Sequence, residues 1–215
     1  MLLGTVLFDL DGTVIDTGPL IADSFRHAVR TVLGKTIDDE EMLAFVGGWS
    51  LREQMCRLAP ERCQELVEAY RAYNEPRHAG LEFCSGMHEL LLGLRAEGVR
   101  LGLATAKRRS TVEIAFGHLP QLEGLFDSVV TAEDTERHKP NPELLSDHPL
   151  EVYLMSTGRV GDSPFDIEAA KAAGLRAIAV TWGGIHGEER LRATDLDAIV
   201  STPVELEAAL QVSPA

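Results

Sequence analysis

At 215 residues, with 45% hydrophobic and 25% charged residues, the chain has the balance of a globular protein that buries a sizeable core. That balance excludes an intrinsically disordered chain, and a net charge of −14 sets its overall field against nucleic acid and acidic membranes as partners. An anionic ligand would therefore have to be met by local cations or a metal ion.

The N-terminal residues Met1 to Thr5 carry no basic leader and run straight into a strand pattern. No apolar run approaches the roughly 20 residues that cross a bilayer, so the expected location is the cytoplasm. Cys56, Cys63 and Cys84 form no Cys-x-x-Cys pair and read as three thiols rather than a disulfide or zinc framework.

In chain order, the first element is Thr5-Val6-Leu7-Phe8, a short apolar run that ends in Asp9-Leu10-Asp11-Gly12-Thr13. Such runs, bounded by turn residues, suit strands buried on both faces of a parallel sheet. Similar runs recur at Val99–Ala104, Ser128–Val130 and Arg176–Val180, separated by helical patterns. The expected fold is α/β: a three-layer core built on a parallel sheet.

The connection after the first run is too long for a simple crossover. Pro19 opens a helix whose apolar face runs from Leu20 to Leu33 and closes at Gly34. Ser50-Leu51-Arg52-Glu53 is a capping box, and Glu65–Tyr73 continues as helix. A βαβ unit needs roughly 30 residues, which leaves about 60 in surplus. The expected organisation is a core of residues 1–15 and 81–215 with a helical cap at 16–80. A cap inserted there lies over the carboxyl ends of the strands, where α/β sheets bind ligands.

Asp9 and Asp11 flank one residue at a strand-to-loop transition, and Gly12 permits a tight turn. A strand-tip carboxylate can attack phosphorus and form an acyl phosphate, and a second acid can carry a proton to the leaving group. A calcium loop would need glycine sixth and glutamate twelfth, whereas glycine is fourth here and Leu20 twelfth. An ordinary Asx turn is the other reading of this segment.

Phe8-Asp9-Leu10-Asp11-Gly12-Thr13-Val14-Ile15-Asp16-Thr17 resembles the first motif of the haloacid dehalogenase-like phosphatases, and three further motifs follow in order. The resemblance implies a Rossmann-like core, a magnesium cofactor and phosphoryl transfer to Asp9. Asp11 favours phosphoryl transfer over the dehalogenase branch, which lacks a second acid there.

By the same resemblance, Thr105 of Leu103-Ala104-Thr105-Ala106-Lys107 donates to a phosphoryl oxygen, with backbone N–H groups at Ala106 and beyond assisting. Lys107, Arg108 and Arg109 form a dense basic run that reads as a solvated face, although Lys107 is close enough to Thr105 to meet substrate. Ser110-Thr111-Val112-Glu113 reads as a capping box with a structural role. Lys139, in Arg137-His138-Lys139-Pro140-Asn141-Pro142, matches the family lysine that offsets charge near nucleophile and phosphate; His138 carries no such indication. Asp162, in Gly161-Asp162-Ser163-Pro164-Phe165-Asp166, matches a magnesium ligand, joined by the Asp9 side chain and the Asp11 carbonyl. Asp166 has two readings, one outside the metal's direct ligands and one as the third residue of a helix capped by Ser163.

One stretch departs from the family pattern. Ser146-Asp147-His148-Pro149 interrupts a helix, Leu150–Met155 fits helix or strand, and Thr157-Gly158-Arg159-Val160 makes a poor strand. A shortened or distorted helix is expected there.

Tyr70-Arg71-Ala72-Tyr73-Asn74 and Trp182-Gly183 add to a likeness with the phosphoglycolate phosphatase and small pyrophosphatase branch. The expected function is hydrolysis of a small phosphomonoester, resembling phosphoglycolate, through an aspartyl phosphate. Arg52 is the candidate cap cation for a carboxylate or second phosphate; an exposed helix arginine is its plainer reading. Pyrophosphate hydrolysis, a β-phosphoglucomutase-like isomerisation and a silent phosphate-sensing module are the alternatives. The presence of Asp9, Asp11, Thr105, Lys139 and Asp162 together speaks against the last. The expected partner is a small phosphorylated metabolite; oligomeric state is not readable.

Overall fold

The apolar run before Asp9 becomes the central strand β1 (Thr5–Phe8) of a computed structural model that describes residues 3–146, 148–150 and 157–211. After β1 the chain makes α1 (Gly18–Leu33), α2 (Asp39–Leu43), α3 (Leu51–Leu58) and α4 (Cys63–Asn74). It then returns through α5 (Met87–Ala96), β2 (Arg100–Ala104), α6 (Arg109–His118) and β3 (Ser128–Val130). The second half runs α7 (Glu143–Ser146), β4 (Thr157–Gly161), α8 (Pro164–Ala172), β5 (Arg176–Val180), α9 (Glu188–Arg192), β6 (Ala198–Val200) and α10 (Pro203–Ala209).

All six described strands are parallel, in the order β3-β2-β1-β4-β5-β6. The chain winds outward from β1 to β3, then crosses back to place β4 on the other side of β1. The order therefore reverses between β1 and β4, and in such sheets the crevice at the carboxyl ends of those strands binds ligand. The three-layer α/β expectation holds, with apolar clusters on both faces. Val6, Phe8, Leu103 and Ile178 pack on the α5 side, while Leu7, Ala177 and Ala179 pack with Ile167 and Ala170 of α8.

Helices α1 to α4 bury a separate apolar cluster that includes Phe25, Val29, Met55, Leu66 and Tyr70. Gly34 closes α1 in a left-handed conformation, and Ser50 with Glu53 forms the capping box at α3. The two passages joining these helices to the sheet pair with each other: Asp16 N donates to Glu82 O and Cys84 N to Val14 O, each at 2.9 Å.

Three local expectations are corrected. Residues Thr157–Gly161 form a fully buried strand between β1 and β5, although glycine and arginine interrupt their apolar run. The strand is tolerated because Arg159 finds acid partners. Helix α6 opens two residues before the anticipated box: Arg109 N donates to Glu133 Oε2 (2.7 Å), so Ser110 lies inside the helix rather than at its cap. Cys56 and Cys63, read as thiols, are joined by a disulfide because the turn between α3 and α4 brings their Cα atoms to 4.5 Å; Cys84 is free and buried. The shortened helix is observed as the four-residue α7, whereas residues 151–155 of the ambiguous run lie outside the described residues.

Candidate active site

Each chemistry-bearing residue sits where a parallel strand ends. Asp9 follows β1, Thr105 follows β2, Lys139 lies on the loop after β3, and Asp162 follows β4. Asp9 N donates to Val160 O (2.9 Å), which locks the tip of β1 to β4 and brings Asp9 beside Asp162. Gly12, at φ 72°, turns the loop back, and Trp182 Nε1 pins it by donating to Thr13 O (3.0 Å).

At the base lie three buried carboxylates. One oxygen from each of Asp9, Asp162 and Asp166 falls within 4.8 Å of the others. Lys139 Nζ donates to Asp9 Oδ1 (2.7 Å) and lies 2.8 Å from Asp166 Oδ1, with the lysine only 1% exposed. Arg159 Nη2 reaches the same Asp166 oxygen at 2.5 Å and lies 3.4 Å from Asp9 Oδ1. Two cations thus face three acids.

That imbalance decides the protonation pattern. Burial would raise Asp166, but Lys139 and Arg159 overcome it and hold the carboxyl at about 2. Asp9 is raised, by burial first and by Asp166 next, against the pull of Lys139 and Arg159. Asp162 is raised well above the usual range by burial and by the charges of Asp166 and Asp9, with Lys139 too weak an offset. A hard divalent cation fits this donor set, since it supplies the missing positive charge to oxygen-only ligands. Asp166 Oδ1 is already engaged by both cations and its Oδ2 lies 2.6 Å from Ser163 Oγ, which leaves Asp9 and Asp162 as the better-placed carboxylate ligands. The space beside Asp162 depends on two glycines: a Cβ at Gly183 would stand 2.1 Å from Asp162 Oδ2 and one at Gly12 2.3 Å from it.

Asp166 takes the anticipated place at the start of α8 and also reaches the buried cations. Its backbone N donates to Ser163 Oγ at the start of α8, while its side chain anchors both buried cations. Asp11 stands apart from the carboxylate cluster, and its Oδ1 accepts from Lys107 Nζ (2.6 Å). Thr105 is buried and its Oγ1 accepts from Lys107 N (3.2 Å), which leaves its own O–H to donate elsewhere.

Above this base opens a cavity of ≈ 520 Å³ walled by the sheet loops and by α3 and α4. Asp9, Asp11, Thr105, Ala106, Lys107, Lys139 and Asp162 all line it. Arg52 lines it too, yet its guanidinium is exposed and donates to Gln64 Oε1 (2.9 Å). The better-placed cation is Arg71 on α4, which the sequence singles out only within the Tyr70–Asn74 likeness. Its Nε is buried and has no hydrogen-bond partner among the described residues. Burial and the neighbouring charge of Arg108 push the Arg71 guanidinium down from its ordinary value.

The cavity is covered from the cap side by residues 46–53. His186 Nε2 donates to Val46 O (3.0 Å), and Ser163 Oγ lies 3.1 Å from Gly47 O. Trp49 stacks obliquely on Phe165 at 5.2 Å. His138 Nδ1 lies 2.6 Å from Glu53 Oε2 and its Nε2 donates to Ala132 O, so His138 bridges the seam. Neither Arg159 nor this seam was anticipated. The only sequence signal for Arg159 was that an arginine spoiled a strand directly before Gly161-Asp162.

Residues 6–180 match the family model described as haloacid dehalogenase-like hydrolase. The chain is 35% identical over 221 residues to a protein named pyrophosphatase PpaX from Anoxybacillus flavithermus, with 99% of each chain covered. Among solved structures, one described as a haloacid dehalogenase-like hydrolase from Bacteroides fragilis aligns with a TM-score of 0.80 at 26% identity, covering 95% of this chain and 99% of that one. CbbY from Rhodobacter sphaeroides, solved as a mutant with xylulose-1,5-bisphosphate, aligns with a TM-score of 0.81 at 24% identity, covering 98% and 100%. No described helix is long and apolar enough to cross a membrane.

Proposed function

The chain belongs to the haloacid dehalogenase-like hydrolase family, and from that premise we propose that it is a magnesium-dependent phosphatase acting on a small phosphomonoester through an aspartyl phosphate on Asp9. The observation that carries this reading is the strand-tip Asp9, oriented by Lys139 at 2.7 Å and open to a cavity that Asp11 and Thr105 also line.

Asp9 and Asp162 would hold magnesium together with the Asp11 carbonyl, and the bound ion supplies electrostatic stabilisation of the transferring phosphoryl oxygens. Lys139 and the Thr105 hydroxyl meet the remaining negative charge, which is where most of the catalysis of phosphoryl transfer lies. Asp9 attacks phosphorus, and Asp11 gives a proton to the departing oxygen. Asp11 then takes a proton from water as that water attacks the aspartyl phosphate, which regenerates Asp9 and releases phosphate. Lys107 holds Asp11 in place between these steps. Residues 16–80 act as the cap that excludes water while the reaction proceeds.

The substrate carries a second anionic group. Arg71 offers a buried N–H with no partner among the described residues, and Lys107, Arg108 and Arg52 line the same cavity. Phosphoglycolate fits this arrangement with a carboxylate. Pyrophosphate, an anhydride rather than a monoester, fits it with a second phosphate and is the alternative reading, supported by the name of the Anoxybacillus relative.

The test is phosphate release from phosphoglycolate, pyrophosphate and a panel of sugar phosphates, with magnesium and with chelator. Magnesium-dependent release that Asp9→Asn abolishes, in a variant with unchanged circular dichroism, is the expected result. Release that survives Asp9→Asn overturns the mechanism, and isomerisation without release replaces the phosphatase with a mutase.

A further inference from the structure

Arg159 is the largest fully buried side chain among the described residues, and the chemistry above does not use it. Its place in the sheet is fixed by register. It lies opposite Leu7 of β1 and Ala177 of β5, on the face packed against α8. One step further along that face stand Asp9, just past the end of β1, and Gly161, the last residue of β4. A Cβ at Gly161 would stand 2.3 Å from Asp166 Cγ, so the glycine is what lets the Asp166 carboxylate lie over the strand. Through that gap Arg159 Nη2 meets Asp166 Oδ1 at 2.5 Å and approaches Asp9 Oδ1 to 3.4 Å.

A guanidinium is expensive to bury, and Arg159 Nε and Nη1 have no hydrogen-bond partner among the described residues. The groups around it explain why the charge is kept. Asp166 Oδ1 and Asp9 Oδ1 face it, Lys139 shares both oxygens, and His148 alongside is held down at about 4 by burial and by the Arg159 charge itself. Arg159 therefore shares with Lys139 the two carboxylates, Asp166 and Asp9, that face it.

We propose that Arg159 is a positioning residue for phosphoryl transfer, a second fixed cation that clamps Asp166 and so delivers Lys139 to Asp9. This rests on the phosphatase reading. Arg159 touches neither substrate nor the cavity. It acts by fixing the Asp166 oxygen on which Lys139 rests, and by competing with any metal ion for the carboxylates. The two effects have opposite signs: losing Arg159 weakens turnover and strengthens metal binding. A residue that merely filled the core would weaken both or neither.

Arg159→Met, Arg159→Lys and the parent chain are compared in two assays. Calorimetric titration with magnesium chloride alone reads affinity without turnover, and phosphate release from p-nitrophenyl phosphate reads kcat and KM. Arg159→Met is expected to bind magnesium about threefold more tightly or better, because a positive charge has left the site. Its kcat is expected to fall about 10- to 100-fold, with KM within about threefold. Arg159→Lys, which keeps the charge but loses the fork, is expected to bind magnesium like the parent and to recover part of kcat. Unchanged kcat in Arg159→Met overturns the proposal, as does weakened magnesium binding. If Arg159→Met does not fold, Arg159→Lys decides: parent-like affinity with reduced kcat supports the clamp, and full activity or failure to fold overturns it. A parent that binds magnesium but releases no phosphate overturns the phosphatase reading. The affinity difference then still shows whether Arg159 supplies the counter-charge.

Discussion

Replacing Lys139 by methionine removes one of two cations from a site of three acids while leaving a side chain of similar length. In the parent, Lys139 Nζ is 2.7 Å from Asp9 Oδ1 and 2.8 Å from Asp166 Oδ1. Without it, both carboxylates lean on Arg159 alone. Removing one partner of a buried pair costs about 3–5 kcal/mol, because the remaining charge is left uncompensated. The surviving Arg159 contact argues for the lower end, about 3 kcal/mol, which for a chain of this size lowers Tm by about 6–12 °C. Magnesium should return much of that loss, since a ligand at a hundred times its Kd stabilises by about 2.7 kcal/mol. It should not return activity, because no donor then stands at the phosphoryl oxygen Lys139 would meet; kcat is expected to stay down by about 100-fold or more. Thermal denaturation with and without magnesium, beside phosphate release, separates the two effects. A Lys139→Met variant that melts with the parent in metal-free buffer and keeps more than about a tenth of kcat would refute the charge argument.

Two further outcomes follow from burial. His148 and His186 are both held down at about 4, principally by burial, against about 6.5 in an unfolded chain. Between those values the unfolded chain binds protons that the fold refuses, so their contribution to stability falls as pH drops from about 6.5 towards 4 and is flat above. Each contributes about 2 kcal/mol after allowing for partial solvent screening. Denaturant melts across this window should show a shallower decline for His148→Gln than for the parent, and parallel curves would remove His148 from the explanation. Gly183→Ala tests the space at Asp162: its Cβ would stand 2.1 Å from Oδ2. The carboxylate must swing away, with magnesium affinity falling about 10- to 100-fold; calorimetry giving parental affinity would show that the loop yields instead.

The parts of this molecule that were legible in the sequence are those set by local pattern. Thr5–Phe8, Ser128–Val130 and Arg176–Val180 are strands with the anticipated bounds, because an apolar run between turn residues has few other solutions inside an α/β sheet. The Ser50–Glu53 box and the Ser163-Pro164 start of α8 depend on contacts within four residues, and they too could be read. Ser110 failed because its rival cap, Glu133, arrives from another loop. The Cys56–Cys63 bond failed for the same reason, since a turn between two helices brings the sulphurs together.

Arg159 shows where pattern reading stops. An arginine in an apolar strand lowers the score of that strand in any sequence-based reading, since burying a lone charge is prohibitive. The structure answers with Asp166, whose place in the sequence fits both a helix start and a site. These two uncertainties had one resolution. The strand can bury an arginine because the next helix turns an acid back over it, and the acid can sit there because Gly161 leaves the room. Neither half can be inferred without the other, and no spacing rule links them, because the pairing depends on how β4 and α8 meet. The same logic extends to the whole chain. A protein with a net charge of −14 can hold an anion only where its cations are gathered and its acids already engaged. Lys107 on Asp11, and Lys139 and Arg159 on Asp9 and Asp166, are that gathering.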